Sequence, residues 1–150
     1  MNYPVAESRE IGAPAQAVWA LVADLPRMGE HSPENVGGRW VSGATGPALG
    51  AVFAGTNKNG VRRWSTKATV VDCSPGTSFE IAISKGPIPI ANWRYELEGR
   101  PDGCRVTESW ADHRKLWMRV VSRPLGSHDA THAKAEMAAT LTNLAAALEE

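Results

Sequence analysis

Four turn signals punctuate the stretch from Ala51 to Trp110, and they leave it few ways to fold. Asn59-Gly60 separates residues 51–56 from Val61 to Val71, and Ser74-Pro75-Gly76 precedes Thr77 to Ser84. Gly86-Pro87 comes before a run ending in Trp93-Arg94-Tyr95-Glu96-Leu97, and Pro101-Asp102-Gly103 leads into Cys104 to Trp110. Asn-Gly between two strand-like runs is a strong hairpin signal, because a two-residue turn needs positive φ and these residues tolerate it. Pro and Gly break the other junctions for related reasons. The spacing therefore predicts an antiparallel meander, strands 2 to 7 in order.

The two ends of the chain read differently. Val5 to Ile11 is strand-like, and Gly12-Ala13-Pro14 turns into a helical pattern from Pro14 to Asp24. Pro suits the first turn of a helix, and Ala15, Val18, Trp19, Val22 and Leu25 recur at helical spacing. Pro26, Gly29 and Pro33 then leave room for one short second helix or a turn. Lys115 to Val121 fits either an extension of the last strand or a short helix. Ser127 is placed to cap a long final helix with Ala130, Ala133, Met137, Leu141, Leu144 and Leu148 on one stripe. Strand, one or two helices, six strands and a long helix make an α+β protein. At 150 residues the expectation is one domain spanning 1–150, with roughly 70% of the unfolded-chain surface buried.

Composition removes several functions. Sixteen Lys plus Arg balance sixteen Asp plus Glu, so no basic stripe points to nucleic acid and no polybasic helix to a membrane surface. No apolar run approaches the roughly 20 residues of a membrane span, and Met1 to Val5 lacks a secretory signal's pattern. Cys73 and Cys104 fit neither a redox nor a zinc motif. The expectation is a cytoplasmic protein with reduced thiols, no cofactor and no integral membrane association, monomeric or homodimeric.

The run Cys104-Arg105-Val106-Thr107-Glu108-Ser109-Trp110 carries the chemical interest. Strand alternation puts Cys104, Val106, Glu108 and Trp110 on one face and Arg105, Thr107 and Ser109 on the other. The second face reads as solvent, so Glu108 points inward between Val106 and Trp110. An unpartnered buried charge is costly, so Glu108 needs a cation, hydrogen-bond donors, a raised pKa or a wet cavity.

Ile11 to Asp24 resembles the first strand and helix of polyketide cyclase/dehydrase-like proteins in the START/Bet v 1-like (SRPBCC) superfamily. The resemblance continues through Glu30-His-Ser-Pro-Glu34, Gly38-Arg-Trp40, Gly55-Thr-Asn57, Arg63-Trp64-Ser-Thr66, Trp93-Arg-Tyr95 and Thr107-Glu-Ser-Trp110. It departs at His31, where such relatives commonly carry Trp. The resemblance implies the helix-grip fold: a seven-stranded curved antiparallel sheet wrapped around a long C-terminal helix, with one or two short helices after strand 1. The superfamily spans lipid carriers, hormone receptors, aromatases and cyclases without a universal catalytic motif, so fold alone does not give function.

Alternation projected onto such a sheet places Trp40, Phe53, Asn57, Trp64, Thr66, Phe79, Ile81, Ile83, Trp93, Tyr95, Val106, Glu108 and Trp110 on the concave face. Met137, Leu141 and Leu144 close it from the helix. The ligand-binding set expected from this is Trp40, Phe53, Asn57, Trp64, Thr66, Phe79, Ile81, Trp93, Tyr95, Glu108, Trp110, Met137 and Leu141. A mostly apolar pocket with a few polar groups suits a hydrophobic molecule with an oxygenated end; the bland alternative is a filled aromatic core. Glu108, the only catalytic candidate, either meets a ligand or makes a structural bond to Arg62, Tyr95 or an indole N–H. His128-Asp129-Ala130-Thr131-His132 imitates a zinc-protease helix but has Asp for Glu and no third ligand, so no metal is expected. His31 sits where a pocket rim would be, and His113 follows the last strand. Three functions stay open: a carrier for a lipid, polyketide or aromatic metabolite; a cyclase or dehydratase using Glu108 as acid/base; and a protein-interaction module presenting Trp117 and Met118. Binding is the leading expectation, because no acid/base pair can be defended from the sequence.

Overall fold

The computed structural model describes residues 3, 5–32, 35–114 and 130–149. The order is β1 (Val5–Ile11), α1 (Ala15–Ala23), a short 3-10 helix (Leu25–Glu30), β2 (Asn35–Val41), β3 (Val52–Asn59), β4 (Arg62–Ser74), β5 (Ser78–Lys85), β6 (Ile88–Arg100), β7 (Gly103–Asp112) and α2 (Ala130–Leu148). The seven strands form one antiparallel sheet in the order β1-β7-β6-β5-β4-β3-β2. This is the helix-grip arrangement, with the meander in sequence order and β1 returning beside β7. The reading of Lys115 to Val121, the Ser127 cap, His128, Asp129, Trp117 and Met118 lies outside the described residues.

Gly86-Pro87 and Pro101-Asp102 are the loops their chemistry predicts, and Pro75-Gly76 lies in the loop after Ser74. The loop expected at Asn59-Gly60 sits one residue on, at Gly60-Val61, because Asn59 still pairs with Arg62. Gly60, Gly76 and Gly86 have positive φ between successive strands, a conformation open to Gly without steric cost. Register shifts between Val70 and Asp72, and between Ile83 and Ser84, add residues to one strand of a pair. Such bulges bend and twist a sheet, and they fall on the central strands.

Helix α1 begins after Pro14 and ends one residue earlier than the pattern suggested, because Pro26 removes a donor and breaks the periodicity. It buries Val18, Trp19, Val22 and Ala23. The Trp19 indole N–H donates to the Ser78 carbonyl at 2.8 Å, and its ring meets Phe79 edge-on at 6.1 Å. Helix α2 packs chiefly on β1 and more lightly on β7. Its buried residues are Ala133, Met137, Thr140, Leu141, Leu144 and Ala145. Ala130, expected on that stripe, is exposed.

The outward sheet face is less solvent-like than alternation suggested. Ser109, Glu80, Asn92 and Ser78 are buried there. Arg94 ties the patch together, reaching Glu80 at 2.9 Å, Glu96 at 3.0 Å and Asp72 at 3.3 Å. Asn92 donates to Glu80 and accepts from the His113 ring at 3.0 Å. Burial pushes the Tyr3 hydroxyl up to about 12, helped by Glu80. Burial also pushes the Glu80 carboxyl up, but hydrogen bonds from Tyr3, Asn92 and Arg94, with the Arg94 charge, outweigh it and hold Glu80 below the ordinary carboxylate range. A depressed folded pKa gives stability that is present above the unfolded value and is lost as pH falls through the folded one. Glu80→Gln should therefore cost about 1–2 kcal/mol at pH 7 and much less at pH 3. Urea unfolding of both proteins at the two pH values checks it, and equal midpoints at pH 7 would dismiss the network as a stabilising feature.

Candidate functional site

The concave face and α2 do not close completely on each other. Between them lies a pocket of about 180 Å³, lined from both buried apolar clusters of the protein. Alternation along the strands supplies most of its wall: Phe53 and Asn57 from β3, Trp64 and Thr66 from β4, Phe79, Ile81 and Ile83 from β5, Trp93 and Tyr95 from β6, and Glu108 and Trp110 from β7. These positions recur every second residue because one sheet face is the pocket wall.

Three expected residues lie elsewhere. Trp40 stands behind Phe53, edge-on at 5.4 Å. Met137 is fully buried against Ala91, Trp110 and Ala133, and Leu141 belongs to the larger apolar cluster with Leu144. The helix residues that point squarely at the sheet fill the core, whereas those on the flank of the stripe reach the void. Glu136 and Thr140, one helical turn apart, line the pocket instead. The spacing of an acid and a hydroxyl at i and i+4 beside the apolar stripe was the available signal. Sequence reasoning also missed Val22, Leu25 and Met28 from the first helices, Ser32 and Asn35, Ile90 and Ala91, and Arg114. Of these, the apolar ones read simply as core.

The remaining candidates take structural places. His31 does not border this pocket; it is buried beside it, and its carbonyl accepts from Asn143 at 2.7 Å. Arg62 lies over the Trp64 ring at 5.5 Å rather than beside Glu108. Asn57 donates to the Thr66 hydroxyl at 3.3 Å. Burial raises both thiols, Cys73 and Cys104, which makes the nucleophilic thiolate scarcer. His132 lies 3.9 Å from Glu136, and among the described residues no three His, Cys, Asp or Glu side chains form a metal-binding group.

Glu108 is the unusual group. It is 2% exposed, and its Oε1 has no hydrogen-bond partner. Burial drives its carboxyl well above the ordinary range, the nearby Glu136 adds to the shift, and a hydrogen bond from Tyr95 only partly opposes it. Glu108 is therefore a carboxylic acid over a range where a surface glutamate is ionised. Burial, with the two acids beside it, likewise raises Tyr95 far above its usual value, so the phenol stays a donor. Glu136 accepts from the Ser32 hydroxyl at 3.2 Å. At the same wall Arg114 forks onto Asp112, with contacts of 3.0 and 2.9 Å. A pocket that is mostly apolar thus carries a phenol and two carboxyl groups on its wall, with Arg114, Asn57, Thr66 and Thr140 among its other polar lining residues.

Comparison with known proteins gives a family match and a shared fold. Residues 4–149 match the model of a family described as polyketide cyclase / dehydrase and lipid transport. A polyketide-cyclase-like protein of Corynebacterium glutamicum is 30% identical over 96% of this chain and 90% of its own, with a TM-score of 0.60. Major latex-like protein 151 of Panax ginseng superposes with a TM-score of 0.73 at 13% identity, covering 97% of each chain. A di-domain ARO/CYC protein of the steffimycin biosynthetic pathway gives 0.71 at 11% identity, over 96% of this chain and 49% of its own. The last two share the fold. Comparison with curated proteins gives no match.

Proposed function

The chain belongs to the polyketide cyclase / dehydrase and lipid transport family, and on that footing we propose that it binds or carries a small hydrophobic molecule in the pocket between sheet and α2. The observation that carries the reading is Glu108 Oε1, a buried polar atom without a partner on the wall of an otherwise apolar pocket. Native proteins satisfy nearly all such atoms, and a bound ligand's polar end would satisfy this one. A dry cavity of about 150 Å³ holds benzene, so this pocket suits one or two fused rings. The free thiols Cys73 and Cys104 support a reducing, cytoplasmic setting, with residues 1–150 acting as one domain.

Naphthylmethanol is a suitable neutral probe, because it should quench the pocket tryptophans Trp64, Trp93 and Trp110. Ile81→Trp fills the middle of the wall and should weaken probe binding about tenfold or more, through lost burial of roughly one ring edge, while the protein stays folded. Equal quenching of both proteins would place the probe elsewhere and defeat the reading.

One observation favours a second reading, catalysis. Glu108, Glu136 and Tyr95 bring an acid, a second carboxyl and a phenol to the same pocket. A neutral carboxylic acid beside a carboxylate is an arrangement that exchanges protons with a ketone: the acid protonates the carbonyl oxygen while the carboxylate removes the neighbouring C–H proton. Solvent deuterium exchange at the α-carbons of tetralone, followed by NMR, separates the readings. Glu108→Gln should weaken a bound ligand modestly but abolish exchange if the site is catalytic.

A further inference from the structure

We propose that the pocket selects ligands ending in a protonated amine, seated between Glu108 and Glu136 with the Trp93 and Trp110 rings beside it. The inference deepens the binding reading above and rests on it.

Two strands build the seat. Trp93 pairs with Trp110 and Tyr95 pairs with Glu108 in the β6–β7 register, so the four side chains form a two-by-two block on the concave face. The two indoles stand 6.2 Å apart and tilted at 47°. Glu136 of α2 lines the same pocket, and its charge acts on Glu108 and Tyr95. Glu108 Oε1 is buried and accepts no hydrogen bond, and the donor beside it, Tyr95, already serves the Glu108 carboxyl.

Among the described residues, the charged groups around Glu108 do not supply a cation to that oxygen. Across β1, Glu7 is the register partner of Glu108 and pairs with Lys134 of α2 at 3.6 Å. Arg114 is engaged by Asp112, and His132 stands by Glu136. Tyr95 approaches from β6 as a neutral phenol. The seat is therefore rich in acceptors and in aromatic faces.

An ammonium group carries three donors and no acceptor, and aromatic faces attract cations within about 6 Å of a ring. It matches this seat in both respects. A hydroxyl fills it neutrally, and a ligand carboxylate would add a third acid to two. Binding of R–NH3+ to the protonated Glu108 form transfers the Glu108 proton to solvent, so one proton leaves for each amine bound. Amine affinity should then rise up to about tenfold per pH unit while Glu108 is protonated, and alcohol affinity should stay flat.

The test uses the full chain and three probes on one ring system: naphthylmethylamine, naphthylmethanol and naphthoate. Tryptophan quenching and calorimetry in buffers of different ionisation enthalpy are run at pH 5.5 and 7.5. The expected result is an amine at least tenfold tighter than the alcohol at pH 7.5, a preference that shrinks at pH 5.5, proton release on amine binding, and naphthoate weakest. Glu108→Gln and, separately, Glu136→Gln should each erase the amine preference, the amine then binding no tighter than the alcohol. An alcohol that binds as well as the amine, or a naphthoate that binds best, would overturn the amine seat while leaving the pocket reading intact. Failure of all three probes to bind would overturn both.

Discussion

Glu108→Gln should make the protein more stable at pH 8 and leave it nearly unchanged at pH 4. The native state holds the Glu108 proton well above the pH at which the unfolded chain releases it, because burial and the neighbouring Glu136 both oppose the charge. A folded pKa raised above its unfolded value gives stability that is complete below the unfolded pKa and is lost as pH rises through the folded one. Each unit of such a shift is worth about 1.4 kcal/mol. Glutamine keeps the shape of the protonated acid, still accepts from Tyr95, and removes the proton equilibrium. The expected gain at pH 8 is about 1–3 kcal/mol, or roughly 3–10 °C in melting temperature for a chain of this length. Thermal melts of the two proteins across pH 4 to 8 read it directly, and parallel curves would show that Glu108 does not titrate within the fold. A stabilising change that erases ligand preference is the pattern expected of a group kept for binding rather than for folding.

Trp19→Ala should have the opposite and larger effect, a loss of about 3–5 kcal/mol. Trp19 joins α1 to the sheet in two ways: the indole N–H donates to the Ser78 carbonyl at 2.8 Å, and the ring meets Phe79 edge-on. Phe79 is buried at the pocket wall, so the cavity left by Trp19 would open behind the site. Total stabilities run only about 5–15 kcal/mol, so a melting temperature lower by about 10 °C or more is expected. Trp19→Phe separates the contributions, because it keeps a ring against Phe79 and loses the hydrogen bond. Its cost should be about 1–2 kcal/mol. Chemical denaturation of the three proteins gives the comparison, and a Trp19→Ala protein as stable as its parent would mean that α1 does not brace the sheet.

Both predictions depend on residues that the sequence placed well. The inward direction of Glu108 follows from alternation between Val106 and Trp110, a property of two neighbours on one strand. The helical pattern around Trp19 is equally local. Glu136 was not legible in the same way. It stands 28 residues further along the chain than Glu108 by the sequence numbering, and only the seating of α2 across the sheet brings the two carboxyl groups to one pocket. The pairing of Glu80 with Arg94 was not legible for a similar reason. They occupy the outward face, where alternation predicts solvent, yet Tyr3, Asp72 and Asn92 converge there from separate strands and from the N-terminal segment.

What the sequence determined by itself was therefore the periodic part. Turn chemistry at Asn59-Gly60, Ser74-Pro75-Gly76 and Pro101-Asp102-Gly103 dictates an antiparallel meander, and the period of two dictates which side chains share its concave face. Tertiary structure decided which inward residues fill the core and which border empty space. Met137 and Leu141 became core while Glu136 and Thr140 reached the pocket, a difference of one position around the helix. The physical reason is that a strand's alternation is fixed by local backbone geometry, whereas a void is a property of how far two packed layers stand apart.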